Sequence, residues 1–136
     1  MIEPITTHRW STDGYPFAVL GVRVDELARR LGVSLQEWNV DGIGPARGFG
    51  FRVPSGRVYL LEEVADSVRF YGARGPTVYV DAADLAGIGA ERLVAEFVTE
   101  LGLSRSEVTD IAGPAGEQRA AEIVAEAAAA GAKNCL

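Results

Sequence analysis

The sequence predicts a single α+β domain over residues 1–136, with one layer of mostly antiparallel sheet packed on two or three helices. About four or five strands are expected, built around a central hairpin. Three observations predict this fold: a self-registering hairpin, short branched apolar runs that follow prolines, and one strongly periodic helix.

The hairpin lies between Gly48 and Val64, read as GFGFRV, PSG and RVYLLEEV. Pro54 presets the first corner of a turn, and Gly56 supplies the left-handed conformation that a three-residue loop needs. Val53 then pairs with Arg57, Phe51 with Tyr59 and Phe49 with Leu61. One face becomes aromatic and aliphatic. The other carries Gly50, Arg52, Val58 and Leu60, still half apolar, as for an interior strand pair touched on both sides.

Upstream, Phe17 to Val24 reads as a buried strand opening after Pro16. A helix follows, with Asp25 as N-cap, Leu27, Ala28 and Leu31 along one stripe, and Gly32 as C-cap. Ser34 and Glu37 have capping-box spacing, so a short helical turn is expected to hold Trp38 before Asn39, Asp41, Gly42 and Gly44 break it.

Downstream, Ser67 to Tyr71 is a possible short strand and Thr77 to Asp81 a clearer one after Gly75-Pro76. Ala90 to Leu101 is the strongest helix, its stripe being Leu93, Val94, Phe97, Val98 and Leu101, with Gly102 as its stop. Ser104 with Glu107 caps a short second helix. Gly113-Pro114 ends that one and starts an alanine-rich helix to Ala130 whose face of Ala120, Ile123, Val124 and Ala127 buries little area. It is expected to be the least stable element, or one completed by a partner.

Two segments echo each other: LGVSLQE at 31–37 and LGLSRSE at 101–107, each followed by Gly-Pro-Ala. A duplicated strand-helix unit would explain this, and so would shared punctuation. The stretch Asp25 to Ser34 also has the spacing of a first helix and turn in a helix-turn-helix, although a recognition helix offering Gln36, Glu37, Trp38, Asn39 and Asp41 is short and acidic.

With 48% apolar and 24% charged residues, the chain is globular in composition. No apolar run reaches membrane-spanning length, MIEPITTHRW lacks the order of a signal peptide, and the single Cys135 cannot form an internal disulfide. Cytoplasmic residence is the expectation.

Charge divides along the sequence. Residues 1–41 carry four basic and six acidic side chains, 42–75 five arginines against three acids, and 76–136 four basic against ten acidic. The overall charge of −6 opposes phosphate backbones and anionic membranes, so neither nucleic acid nor lipid is expected and a basic protein is the better counterpart. The twelve arginines against one lysine reflect a compositional bias rather than a function.

Catalytic patterns are sparse. His8 is the one histidine, with no nucleophile context around it, and Gly-x-Ser-x-Gly, His-Glu-x-x-His and Cys-x-x-Cys are missing. The glycines at 42, 44, 48 and 50 precede a strand and not a helix, which suits turns and close packing better than a phosphate cradle. Glu62 and Glu63 point to opposite faces. Asp81 and Asp84 stand at a strand's C-terminal end, where with Glu91 they could hold a divalent cation, or else cap a helix. Arg52 and Arg57, with Arg47, Arg69 and Arg74 nearby in sequence, could grip an anion or protect a sheet edge.

The expectation is therefore a non-catalytic protein-binding domain of inhibitor or immunity type that occludes a basic partner such as a toxin, needing no cofactor and no metal. Its contacts are expected among Trp38, Arg52, Arg57, Asp81, Asp84, Glu91, Glu96 and Glu100. The alternative is a small-molecule-binding domain or enzyme with a site near Asp81, Asp84 and the hairpin arginines.

Overall fold

The computed structural model describes residues 2–5, 14–40, 42, 44–65 and 75–134. In chain order they form β1 (Glu3–Ile5), β2 (Gly14–Leu20), α1 (Val24–Leu31), β3 (Gln36–Val40), β4 (Gly44–Arg52), β5 (Val58–Val64), β6 (Thr77–Asp81), α2 (Ala82–Ile88), α3 (Ala90–Leu101), a 3₁₀ turn (Arg105–Glu107), β7 (Val108–Ile111) and α4 (Pro114–Asn134). His8, Arg69, Arg74, Cys135 and the expected strand at Ser67–Tyr71 lie outside the described residues.

The fold is α+β, with a larger sheet than the sequence suggested. Seven strands form one antiparallel sheet in the order β1-β4-β5-β6-β2-β7, and β3 also pairs with β4. β1 covers Gly50–Arg52 of β4 and β3 covers Gly44–Gly48, so the two short strands run end to end along one edge. The Gln36 side-chain amide donates to the Ile5 carbonyl at 3.0 Å where they meet.

The hairpin adopts the expected register, with Phe51 opposite Tyr59 and Phe49 opposite Leu61. The Val53 N–H donates to the Arg57 carbonyl at 3.0 Å, and Gly56 has φ 93°. This face meets the helices. Phe51, Tyr59 and Phe97 of α3 stack with centroids 5.5–5.9 Å apart, and Phe17 joins Tyr59 at 5.8 Å. Leu61, Val78, Val80, Leu27, Leu85 and Leu93 complete one apolar cluster, all at 0% exposure. Each such side chain contributes roughly 1.5–3 kcal/mol by leaving water.

Several elements depart from the sequence expectation. β2 starts at Gly14 and stops at Leu20, so Pro16 lies inside the strand and Val24 belongs to α1. Pro16 is tolerated because the β6 ladder shifts register between Pro16 and Ala18, and β7 pairs only from Ala18 onward. Asp25 is not the N-cap of α1. Arg23 holds that position without capping the helix through its side chain, and the buried Glu63 carboxylate of β5 accepts from the Val24 N–H at 3.2 Å instead.

The expected turn of helix after Ser34 is the strand β3. Pairing with β4 wins over a local capping pattern because Trp38 gains a tertiary seat: its ring lies close to Gly48, and its indole N–H donates to Glu62 at 2.7 Å. A strand at that position leaves no second helix for a helix-turn-helix.

Ala90–Leu101 is helical over the expected span, closed by Gly102 at φ 66°. Ser104 and Glu107 form their capping box, but on a single 3₁₀ turn that leads into β7 rather than on a helix running to Gly113. The two sequence echoes thus lead into β3 and β7, which sit at opposite edges of the sheet with different partners. α4 packs on α2 and is pinned at Ala120, which is fully buried.

Candidate binding site

The turn end of the hairpin carries a polar cluster. Arg57 donates through Nε to Glu96 of α3 at 2.8 Å and through Nη1 to Asp84 of α2 at 3.3 Å. The Tyr59 hydroxyl donates to Glu96 at 2.7 Å and Ser55 does so at 3.1 Å. Three of the residues expected to bind a partner, Arg57, Asp84 and Glu96, thereby satisfy one another and clamp the hairpin to two helices.

Burial pushes Glu96 up, but hydrogen bonds from Arg57, Tyr59 and Ser55 outweigh it and hold its pKa below the ordinary carboxylate value. Burial, with help from Glu96, raises the Tyr59 phenol far above its ordinary range. Because the folded pKa of Glu96 is depressed, its stabilisation is complete above the ordinary value of 4.5 and is lost as pH falls through the folded pKa. Glu96→Gln is expected to cost about 1 kcal/mol at neutral pH. In urea titrations the gap between the two proteins should begin to close only once pH falls below the ordinary carboxylate value of 4.5.

The remaining expected residues do not join this cluster. Asp81 caps α2 by accepting from the Ala83 N–H at 2.9 Å. Glu91 is 79% exposed and faces Arg105 at 3.9 Å, and Glu100 stands in the last turn of α3. Arg52 lies on the sheet face away from the helices, 3.9 Å from Glu3. Asp81, Asp84 and Glu91 therefore have separate partners, and among the described residues no three His, Cys, Asp or Glu side chains are grouped to hold a metal. Nor do Asp81, Asp84 and the hairpin arginines enclose one site: Arg57 is turned onto the helices and Arg52 away from them.

A cavity lies elsewhere among the described residues, at the end of the sheet where β3, β4 and β5 meet the start of α1. It measures about 550 Å³ and is lined by Arg23, Glu37, Trp38, Asn39, Pro45, Ala46, Arg47, Glu63 and Ala65. Glu63 forms its floor and is the one buried charged residue among those described, at 3% exposure. It accepts from Arg23 Nε at 2.9 Å and Nη2 at 3.0 Å in a bidentate pair, and from Arg47 Nη2 at 3.4 Å. Asp25 lies 3.5 Å from the same Arg47 nitrogen.

Trp38 is the one expected contact residue in this cavity; Arg23, Glu37, Asn39 and Glu63 were not expected there. The hairpin register already contained the clue, since continuing it from Phe49 and Leu61 sets Arg47 opposite Glu63 on the core face. On the other face Glu62 bridges the Trp38 indole and the Tyr79 hydroxyl, the latter at 3.2 Å. Burial, together with the Glu62 charge, pushes the Tyr79 phenol up to about 12. Among the described residues no helix is long and apolar enough to cross a membrane. Comparison with known proteins finds no matching family model, no matching curated protein and no matching solved structure.

Proposed function

We propose that the protein is a non-catalytic protein-binding domain of inhibitor or immunity type, which occludes a basic partner such as a toxin enzyme through α4. The observation that carries this is the exposure of that helix. From Ala121 to Gly131 every residue is exposed except the half-buried Ile123, although the helix runs for 21 residues. Its alanines sustain helicity without burying area, so this half is held out toward solvent by propensity rather than by packing.

The charge on offer is acidic. Asp84, Glu96 and Glu107 are matched within the fold by Arg57 and Arg30, whereas Glu122 and Glu126 share the one Arg119, at 3.0 and 3.1 Å, and remain 50% and 65% exposed, which leaves this face one negative charge in excess. A cationic groove would meet both carboxylates together, since they stand one turn apart on the same face of the helix. Electrostatic steering then sets the association rate.

Co-purification from the native host supplies the partner, and stopped-flow association measures the effect. The rate is expected to fall as salt rises, and the double variant Glu122→Lys, Glu126→Lys to slow association about tenfold at low salt. A rate indifferent both to salt and to these substitutions refutes the proposal.

A further inference from the structure

We infer that the protein self-associates through β3, two copies joining edge to edge and antiparallel about a two-fold axis at Trp38, so that their sheets become continuous. The contact is made by β3 and is independent of α4.

β3 is five residues long, pairs with β4 in an unbroken register and has no strand on its other side among the described residues. Apart from the β4 ladder and the Trp38–Glu62 bond, residues 37–40 meet no hydrogen-bond partner among those described. Backbone donors and acceptors are thereby offered outward. The other outer strands carry the devices that blunt an edge: β1 has three residues with Pro4 in the middle, and β7 has four, meets β2 through a register shift and exposes Asp110. β3 has no proline, no bulge and no lysine or arginine.

The strand QEWNV is complementary to itself. Antiparallel edges related by a two-fold axis perpendicular to the sheet keep their faces, so even residues stand opposite even ones and the axis passes through a residue. An axis at Glu37 would set two carboxylates directly opposite, and one at Asn39 would carry Glu37 past the end of the facing strand. An axis at Trp38 sets each exposed Glu37 opposite the exposed Asn39 of the other copy, twice by symmetry, so that an amide answers a carboxylate. Trp38 does not bar the approach. Its ring lies back over Gly48 of β4 and its N–H reaches Glu62 of β5, so it leans into its own sheet and not past the edge. A strand this short buries less than a standard interface, and a weak dimer follows. Each chain carries −6, and the two Glu37 side chains stand diagonal across the axis at roughly 7–8 Å, so salt tightens the dimer, the reverse of its effect on association through α4.

Sedimentation equilibrium of the full chain tests this from about 1 to about 300 µM, with a dissociation constant expected on the order of 10–100 µM. Asn39→Glu sets carboxylate against carboxylate at both symmetric pairs and is expected to weaken the dimer about tenfold, whereas Asn39→Lys is expected to tighten it about threefold. Gln118→Glu and Gln118→Lys, exposed on α4, change the net charge equally and are expected to leave the constant within about twofold. Urea midpoints matching the wild type show that each variant is folded. The inference is overturned if the chain sediments as a monomer throughout at both low and high salt, which is also the outcome for an edge that takes only an extended segment of another protein. It is equally overturned if Asn39→Glu associates like the wild type, or if the Gln118 variants shift the equilibrium as far as the Asn39 variants do.

Discussion

Gly48→Ala is expected to destabilise the protein by about 3 kcal/mol or more, read as a large fall in urea midpoint. A Cβ at this position would stand 1.8 Å from the Leu61 carbonyl oxygen, 2.9 Å from its carbon and 3.1 Å from Trp38 Cη2. The first two are backbone atoms of the central strand pair and cannot swing aside. Moving β5 to make room would drag the Leu61 side chain, which is 0% exposed, out of the core. Gly87 is the control. It lies within α2 with nothing inside 4 Å of its would-be Cβ, so alanine there should be neutral or stabilising by a few tenths of a kcal/mol. Equal midpoints for the two variants would show that β4 and β5 are farther apart than the structure has them.

Glu63→Ala is the second large effect, expected at about 3 kcal/mol by the same measurement. The substitution removes the acceptor of the buried Val24 N–H and leaves Arg23 and Arg47 without their shared carboxylate. The cost lies toward the lower end for a broken buried pair, because the Arg23 and Arg47 side chains are 47% and 37% exposed and can turn to water. The Val24 amide cannot. Glu63→Gln keeps a carbonyl for that amide and should therefore recover more than half of the loss. If glutamine proves as damaging as alanine, the ion pairs and not the helix-start amide carry the energy.

Legibility in the sequence followed the range of the interactions involved. The hairpin, β6 and α3 were readable because a turn, a proline and a heptad-like stripe each encode them within a dozen residues. β3 was not. Ser34 and Glu37 carry a local helix-start pattern, and only β4, some ten residues farther on, supplies the partner and the glycine seat that make QEWNV a strand. β7 was obscured in the same way, because its four residues are stabilised by pairing with β2, about ninety positions away.

The cavity followed suit. Arg23, Glu37, Arg47 and Glu63 come from four elements, and only the Arg47–Glu63 pair shares a hairpin. Arg57, Asp84 and Glu96 were expected as partner contacts, and their pairing with one another was not foreseen. Three-dimensional pairing turned them into an internal clamp, because an arginine after a tight turn reaches the helices beneath it before it reaches solvent.

The junction where the Gln36 amide meets the Ile5 carbonyl is a seam, and a seam lets the rim of β4 open by halves. Peeling β1 away bares only the hairpin end, while Trp38 and its bond to Glu62 keep the far end fastened. Cargo fused through β1 would thus tug on three ladder positions and leave the half of the sheet that borders the cavity under no load.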